Sequence, residues 1–272
     1  MLVGNDRVAA KVGADQATLR ACFGDGLKRG LADIVMGLVA MCLNAPESRC
    51  YHRAMTIHPL IPDLTGPDLA ISWAPLEALS GDPHPDEWED IASAASNRQK
   101  EFAAGRLLAH VLSDQLGLPP APLRRADDRS PVWPADRTGS LSHCDRLCAA
   151  AVGKRSAFQS VGVDIETIGR VEQKLWPTLF TEKEAGYFSS LAPDTVALET
   201  TLFFSAKESF YKCQYPLTKE WVGFQDVAIT RTDQHALAIA PTRGAAQAWH
   251  AAPIHTVKIS ASHVATVMLL HA

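Results

Sequence analysis

The sequence has no CxxC pair and no zinc-ligand spacing among its six cysteines, Cys22, Cys42, Cys50, Cys144, Cys148 and Cys213. Neither a structural zinc site nor a dithiol redox motif is therefore legible, and reduced cytosolic thiols are the reading that remains. An excess of basic charge is missing too: 26 basic against 30 acidic residues leave a net charge of -4. That balance gives no global field for nucleic acid, so any anion site must be local. The apolar run from Gly30 to Leu43 is interrupted by Asp33 and falls short of the ~20 residues that span a bilayer. It also begins too late, after acidic residues, to be a secretory leader. These absences lead to the expectation of a cytoplasmic protein without stable membrane insertion.

What is present fits an ordinary globular chain. The 272 residues are 47% hydrophobic and 21% charged, enough for one large domain or two of common size with a real core. The first sixty or so residues read either as an amphipathic or poorly ordered extension or as an overextended start with Met55 as a later initiation site. No chemistry is assigned to them.

Ala70–Trp73 reads as a strand, followed by a loop punctuated by Pro75, Gly81, Pro83 and Pro85. Apolar residues then recur at helical steps from Glu87 to Leu116, with Gly117, Pro119 and Pro120 as the stop. Leu147–Val152 and Ser160–Ile165 read as neighbouring strands that pair or lie adjacent. Helices are expected over Thr181–Leu191 and Thr195–Gln214, the second ending before Pro216. Strands follow at Val227–Thr230, Ala236–Ala240, Val257–Ser260 and Val264–Leu270. The class is α+β, with helices on a mostly antiparallel sheet in the second half. Ser142-His143 and Ser262-His263 form a faint internal echo.

Four motifs carry chemistry. Asp164 and Glu166 close an apolar strand, and their i, i+2 spacing puts both carboxylates on one face. Two such acids repel, and a hard divalent cation with oxygen ligands relieves the repulsion. On the helix ending near Gln214, Glu208 and Lys212 share a face one turn apart with Lys207 beside them. A third carboxylate with two ammonium groups suits phosphoryl transfer. Arg129 to Pro134, then Gly139 to His143, form an ordered loop running into a strand that presents Ser142 and His143. Arg98, Phe102 and Arg106 line a ridge at four-residue steps, with Gly105 allowing close approach, and guanidinium forks suit phosphate oxygens. Taken singly, the acid pair, the Glu208–Lys212 turn and the arginine ridge each read better as a solvated acid pair, a helical salt bridge and a basic helix face. Their combination favours one site. No oriented base stands near Cys144, so a Cys-His mechanism is set aside.

In that order and at those separations, the motifs resemble the 4'-phosphopantetheinyl transferases of the surfactin and enterobactin synthetase component D type, over roughly Leu60 to Leu270. The resemblance implies two similar α+β halves related by pseudo-twofold symmetry: residues 61–157, then 158–272 carrying the metal site, after an extension of 1–60. It implies that coenzyme A lies between the halves and that Asp164, Glu166 and Glu208 hold Mg²⁺ at its pyrophosphate. His143, Lys207 and Lys212 would contact phosphates, with Arg98, Arg106 and Arg129 toward the 3'-phosphoadenosine end and Ser142 adding a contact. Arg129 stands where relatives often place lysine. Glu208 is the candidate base, with water or Glu166 as alternatives, and Lys207 joins the metal in stabilising charge. The implied substrate is a serine of an apo peptidyl, aryl or acyl carrier protein in siderophore, nonribosomal peptide or polyketide synthesis, served by a monomer with no nucleic-acid partner. A homotrimeric holo-acyl-carrier-protein synthase is disfavoured by length, and the rival of another class is a noncatalytic coenzyme A or nucleotide-binding module.

Overall fold

The computed structural model describes residues 55–233, 236–242 and 249–272, all within the compact unit Cys50–Ala272. The apolar run from Gly30 to Leu43, and Cys22, Cys42 and Cys50, lie outside the described residues.

Strand alternation builds the architecture. In β6 (Leu147–Lys154), Cys148, Ala150 and Val152 face a helix while Ala149 and Ala151 face the other way, and all five are buried. Small side chains on both faces let layers approach closely from either side. β6 pairs antiparallel with β2 (Leu69–Pro75) and with β5 (Arg137–Cys144), and β1 (His58–Pro59) completes the order β1-β2-β6-β5. One face is covered by α2 (Ser96–Gln115), through Ala104, Leu108, Leu112 and Leu116.

The second sheet has the order β7-β11-β10-β9-β8, antiparallel throughout. Its strands are β7 (Phe158–Thr167), β8 (Val227–Arg231), β9 (Ala236–Pro241), β10 (Pro253–Lys258) and β11 (His263–His271). Val161, Val163 and Ile165 of β7 pack toward the first sheet with Ile71, Ala149 and Val267. The opposite face is covered by α3 (Trp176–Leu179), α4 (Glu182–Ser189) and α5 (Pro193–Thr218), which bury Phe188, Phe203 and Phe210 against Ile229, Ile239 and Met268. Gly162 permits this contact: a Cβ there would lie 2.0 Å from the carbonyl oxygen of Ser209 on α5. Gly105 is not so constrained, since an added Cβ would meet only Leu141 at 3.6 Å.

Three expectations are corrected. The helix expected from Glu87 onward is two helices, α1 (Pro85–Glu89) and α2. Asp90 is drawn off by Arg124 and the backbone N–H of Arg125, and Gln99 Nε2 donates to the Ala92 carbonyl at 2.8 Å, satisfying the intervening turn from a side chain. Of the two arrangements expected for the strands at 147–152 and 160–165, pairing fails because they belong to different sheets, while adjacency holds, since they pack against each other across the layers. The helix expected to stop before Pro216 continues through it to Thr218 and closes on Lys219 at φ 55°. In the last turn a missing N–H removes one bond and breaks nothing downstream.

The Ser-His echo does not survive folding. Ser142-His143 precedes the turn of the β5–β6 hairpin, whereas Ser262-His263 follows the turn of the β10–β11 hairpin.

Candidate active site

The two sheets meet at β5 and β7, the edge strands of their sheets, and serine hydroxyls join them. Val163 N–H donates to Ser140 Oγ at 3.0 Å, and Ser142 Oγ donates to Asp164 Oδ1 at 2.8 Å. Because Val163 points into the inter-sheet core, Gly162, Asp164 and Glu166 face α5. From α5, Lys212 Nζ reaches Asp164 Oδ1 at 2.6 Å and Ser142 Oγ at 3.0 Å. The three side chains thus converge from β5, β7 and α5.

This cluster is only half satisfied. Asp164 Oδ2 is buried and has no hydrogen-bond partner, and burying a carboxylate oxygen unpaired is costly. Burial first, then the charge of Asp164, pushes the Glu166 carboxyl up to about 7, although Lys212 and Arg170 pull it down. Burial also raises Glu208, against the pull of Lys212. Lys212 is itself raised: burial opposes its charge, but Asp164 and Glu208 outweigh it. Among the described residues, no three His, Cys, Asp or Glu side chains are already gathered closely enough to hold an ion. The donor chemistry nevertheless suits one. Three carboxylates, one with an orphaned oxygen and two, Glu166 and Glu208, with raised pKa values, are hard ligands that lack a cation.

His143, next along β5, accepts from Arg98 Nη1 at 2.8 Å, and Arg98 also pairs with Glu101 at 3.1 Å. Burial, then Arg98 and Lys212, lower the His143 pKa against Glu101 and Asp164. With Nε2 accepting, the imidazole is neutral. Arg106 is more deeply placed. Its Nε donates to the Leu123 carbonyl at 3.1 Å, its guanidinium lies 4.0 Å over the Phe102 ring, and burial lowers it to about 10. Arg129 is exposed in the turn between β3 (Arg124–Arg125) and β4 (Pro131–Val132), at φ 68°.

Lys207 requires a correction. Expected at the phosphates, it is 2% exposed and points away from Asp164 into the α4–α5 core. Its Nζ donates to Glu184 Oε2 at 2.7 Å, the Leu179 carbonyl at 3.0 Å and the Phe224 carbonyl at 2.9 Å. An ammonium has three protons, and all three are used. Lys207 is about 100° around the helix from Glu208, so the two cannot share a face.

Sequence reasoning missed Glu184. Its Oε2 accepts from Thr181 N and Oγ1 as well as from Lys207, and its Oε1 from Ile229 N at 2.7 Å. The capping-box spacing Thr181-x-x-Glu184 was a legible signal for its position, though not for its partner. Asp128, Tyr211 and Trp221 were missed as well, and Trp221 is 79% exposed beside Tyr211, with ring centroids 5.4 Å apart. The buried Cys144, Cys148 and Cys213 have thiols each pushed up to about 12 by burial, which suits inert core residues.

The two-layered sheet core brings carboxylates, a lysine and a histidine to one seam, and the family of the chain follows from comparison. Residues 86–153 match the 4'-phosphopantetheinyl transferase N-terminal domain, and residues 160–268 match the 4'-phosphopantetheinyl transferase superfamily. The chain belongs to that superfamily. It is 38% identical over 148 residues to the 4'-phosphopantetheinyl transferase PptT of Mycobacterium tuberculosis, covering 54% of this chain and 65% of the relative. It is 34% identical over 155 residues to Npt of Nocardia iowensis, covering 54% and 65%, and 33% identical over 144 residues to enterobactin synthase component D of Escherichia coli, covering 52% and 66%. The matches thus span just under two thirds of the length of these curated relatives. Among the described residues no helix is long and apolar enough to cross a membrane.

Proposed function

We propose that the chain transfers the 4'-phosphopantetheine arm of coenzyme A to a serine of an apo peptidyl, aryl or acyl carrier protein, leaving holo-carrier and adenosine 3',5'-bisphosphate. The observation that carries this reading is the half-satisfied cluster: Asp164 bonded to Lys212 and Ser142 through one oxygen, its other oxygen orphaned, with Glu166 and Glu208 alongside. Asp164, Glu166 and Glu208 would hold Mg²⁺ or Mn²⁺, and the bound cation supplies charge neutralisation at the pyrophosphate.

The chain's own groups do the rest. Lys212 exchanges Asp164 for a non-bridging oxygen and stabilises the charge that develops there, the part first expected of Lys207. His143 and its partner Arg98 orient the phosphates, with Arg106 and Arg129 toward the 3'-phosphoadenosine end. Ser142 holds Asp164 and Lys212 in register. The carrier serine oxygen bonds to the β-phosphorus, the bond from that phosphorus to adenosine 3',5'-bisphosphate breaks, and Glu208 accepts the serine proton.

Topology supports two related halves, bounded near residues 61–157 and 158–272. β2, α2, β5 and β6 repeat as β7, α5, β10 and β11, with sheet orders β2-β6-β5 and β7-β11-β10. A cytoplasmic monomer serving siderophore, nonribosomal peptide or polyketide carriers completes the reading.

The test is the intact mass of an apo carrier incubated with the chain, coenzyme A and Mg²⁺. A gain of one phosphopantetheine arm, lost with Asp164→Ala, is expected. No gain across several peptidyl and acyl carriers would overturn the proposal.

A further inference from the structure

The β3–β4 turn is held by a single carboxylate that looks two ways. Asp128 Oδ1 accepts from Ser130 N at 3.0 Å and Ser130 Oγ at 2.5 Å, fixing the turn from within. Its Oδ2 accepts from Tyr215 Oη at 2.9 Å and from Lys219 Nζ at 3.3 Å, both at the C-terminal end of α5. Lys219 closes α5 in the left-handed region at φ 55° and lies 4.7 Å over the Tyr215 ring, so the two donors are set against each other. Arg129 follows Asp128 directly, at φ 68°, a conformation a non-glycine residue holds only when its surroundings impose it.

Glu208, Lys212 and Tyr215 stand at i, i+4 and i+7 on α5 and so share one face. The helix that offers Glu208 and Lys212 to the cluster at β7 therefore also grips the turn that carries Arg129. These contacts join groups 87 and 91 residues apart in sequence. All are at the surface, where a carboxylate bonded to a phenol and an ammonium is readily broken and remade.

We propose that Asp128, Tyr215 and Lys219 form a latch whose role is positional: it holds the Arg129 turn at a fixed distance from the Glu208–Lys212 face, so that one polyanionic ligand engages both. This rests on the coenzyme A reading above. Tyr215 and Asp128 touch no reacting atom in this scheme and act through Arg129.

The experiment is a double-mutant cycle on the full chain, with coenzyme A affinity measured by calorimetry for wild type, Tyr215→Phe, Arg129→Ala and the double variant, alongside amide exchange of residues 126–130 without ligand. The latch predicts faster exchange of that turn in Tyr215→Phe and an affinity loss of about tenfold, which shrinks below about twofold when Arg129 is already alanine. An equal loss in both backgrounds, or no loss and no change in exchange, overturns the latch while leaving the coenzyme A reading intact. A wild-type chain that does not bind coenzyme A overturns that reading and the latch with it.

Discussion

Lys207 and Lys212 lie on the same helix, and each holds a buried carboxylate in a 2.7 Å or 2.6 Å ion pair, yet their surroundings differ in every other respect. The Lys207–Glu184 pair is sealed: both side chains are 2% exposed, all three lysine protons are used and both carboxylate oxygens have partners. The Lys212–Asp164 pair is open. Lys212 is 26% exposed, one Asp164 oxygen is orphaned, and two further carboxylates crowd it. The same two functional groups stabilise a core in one place and leave unspent binding capacity in the other. What separates them is whether the remaining lone pairs and protons are filled.

The largest expected effect comes from breaking the sealed pair. Lys207→Met leaves Glu184 buried with an uncompensated charge and should cost ~3–5 kcal/mol of stability in urea unfolding. Next in size, Lys212→Met should lower single-turnover transfer by roughly 10²–10³-fold with a smaller loss of stability than Lys207→Met. Equal loss of stability in the two single variants would erase the distinction between sealed and open.

A smaller effect is read by pH, with opposite signs at two carboxyls. Glu87 is a sealed acid in the first half, bonded to His110 at 2.8 Å and to His84 N at 2.9 Å. Burial works against its charge, but the His110 bond and charge prevail and its pKa is lowered. Its contribution is therefore present above the unfolded value of 4.5 and is lost as pH falls through the lower folded value. Glu166, raised from 4.5 to about 7, behaves in reverse: its ionisation weighs against the fold as pH rises between those values. In chelator-treated protein, Glu166→Gln should be more stable than wild type at pH 8 by ~1–2 kcal/mol and no more stable near pH 4. Glu87→Gln should be less stable at pH 7, with the gap closing in acid.

The open site was legible in sequence because its spacing is local. Strand alternation placed Asp164 with Glu166 and one helical turn placed Glu208 with Lys212; Ser142 joins Asp164 and Lys212 there, and His143, next along the strand, meets Arg98. The sealed pair was not legible. Adjacency to Glu208 suggested a shared role for Lys207, whereas one residue of helix rotates the side chain to the other face, and its partner lies 23 residues away. The break between α1 and α2 was hidden for the same reason, since Asp90 is held by Arg124 from 34 residues away. The α+β class and most strands followed from periodicity, although β10 runs over Pro253–Lys258 rather than Val257–Ser260 and β5 already begins at Arg137, within the stretch expected as loop; the separation of β6 and β7 into different sheets depends on β11 arriving to pair with β7.

The most direct test of the contrast is Mn²⁺ titration by electron paramagnetic resonance, with and without coenzyme A, on wild type, Asp164→Ala and Glu184→Gln. The account predicts loss of the free-ion signal with wild type and with folded Glu184→Gln, strengthened by coenzyme A, and a persistent free-ion signal with Asp164→Ala. Binding that survives in Asp164→Ala, or that fails in folded Glu184→Gln, would contradict it.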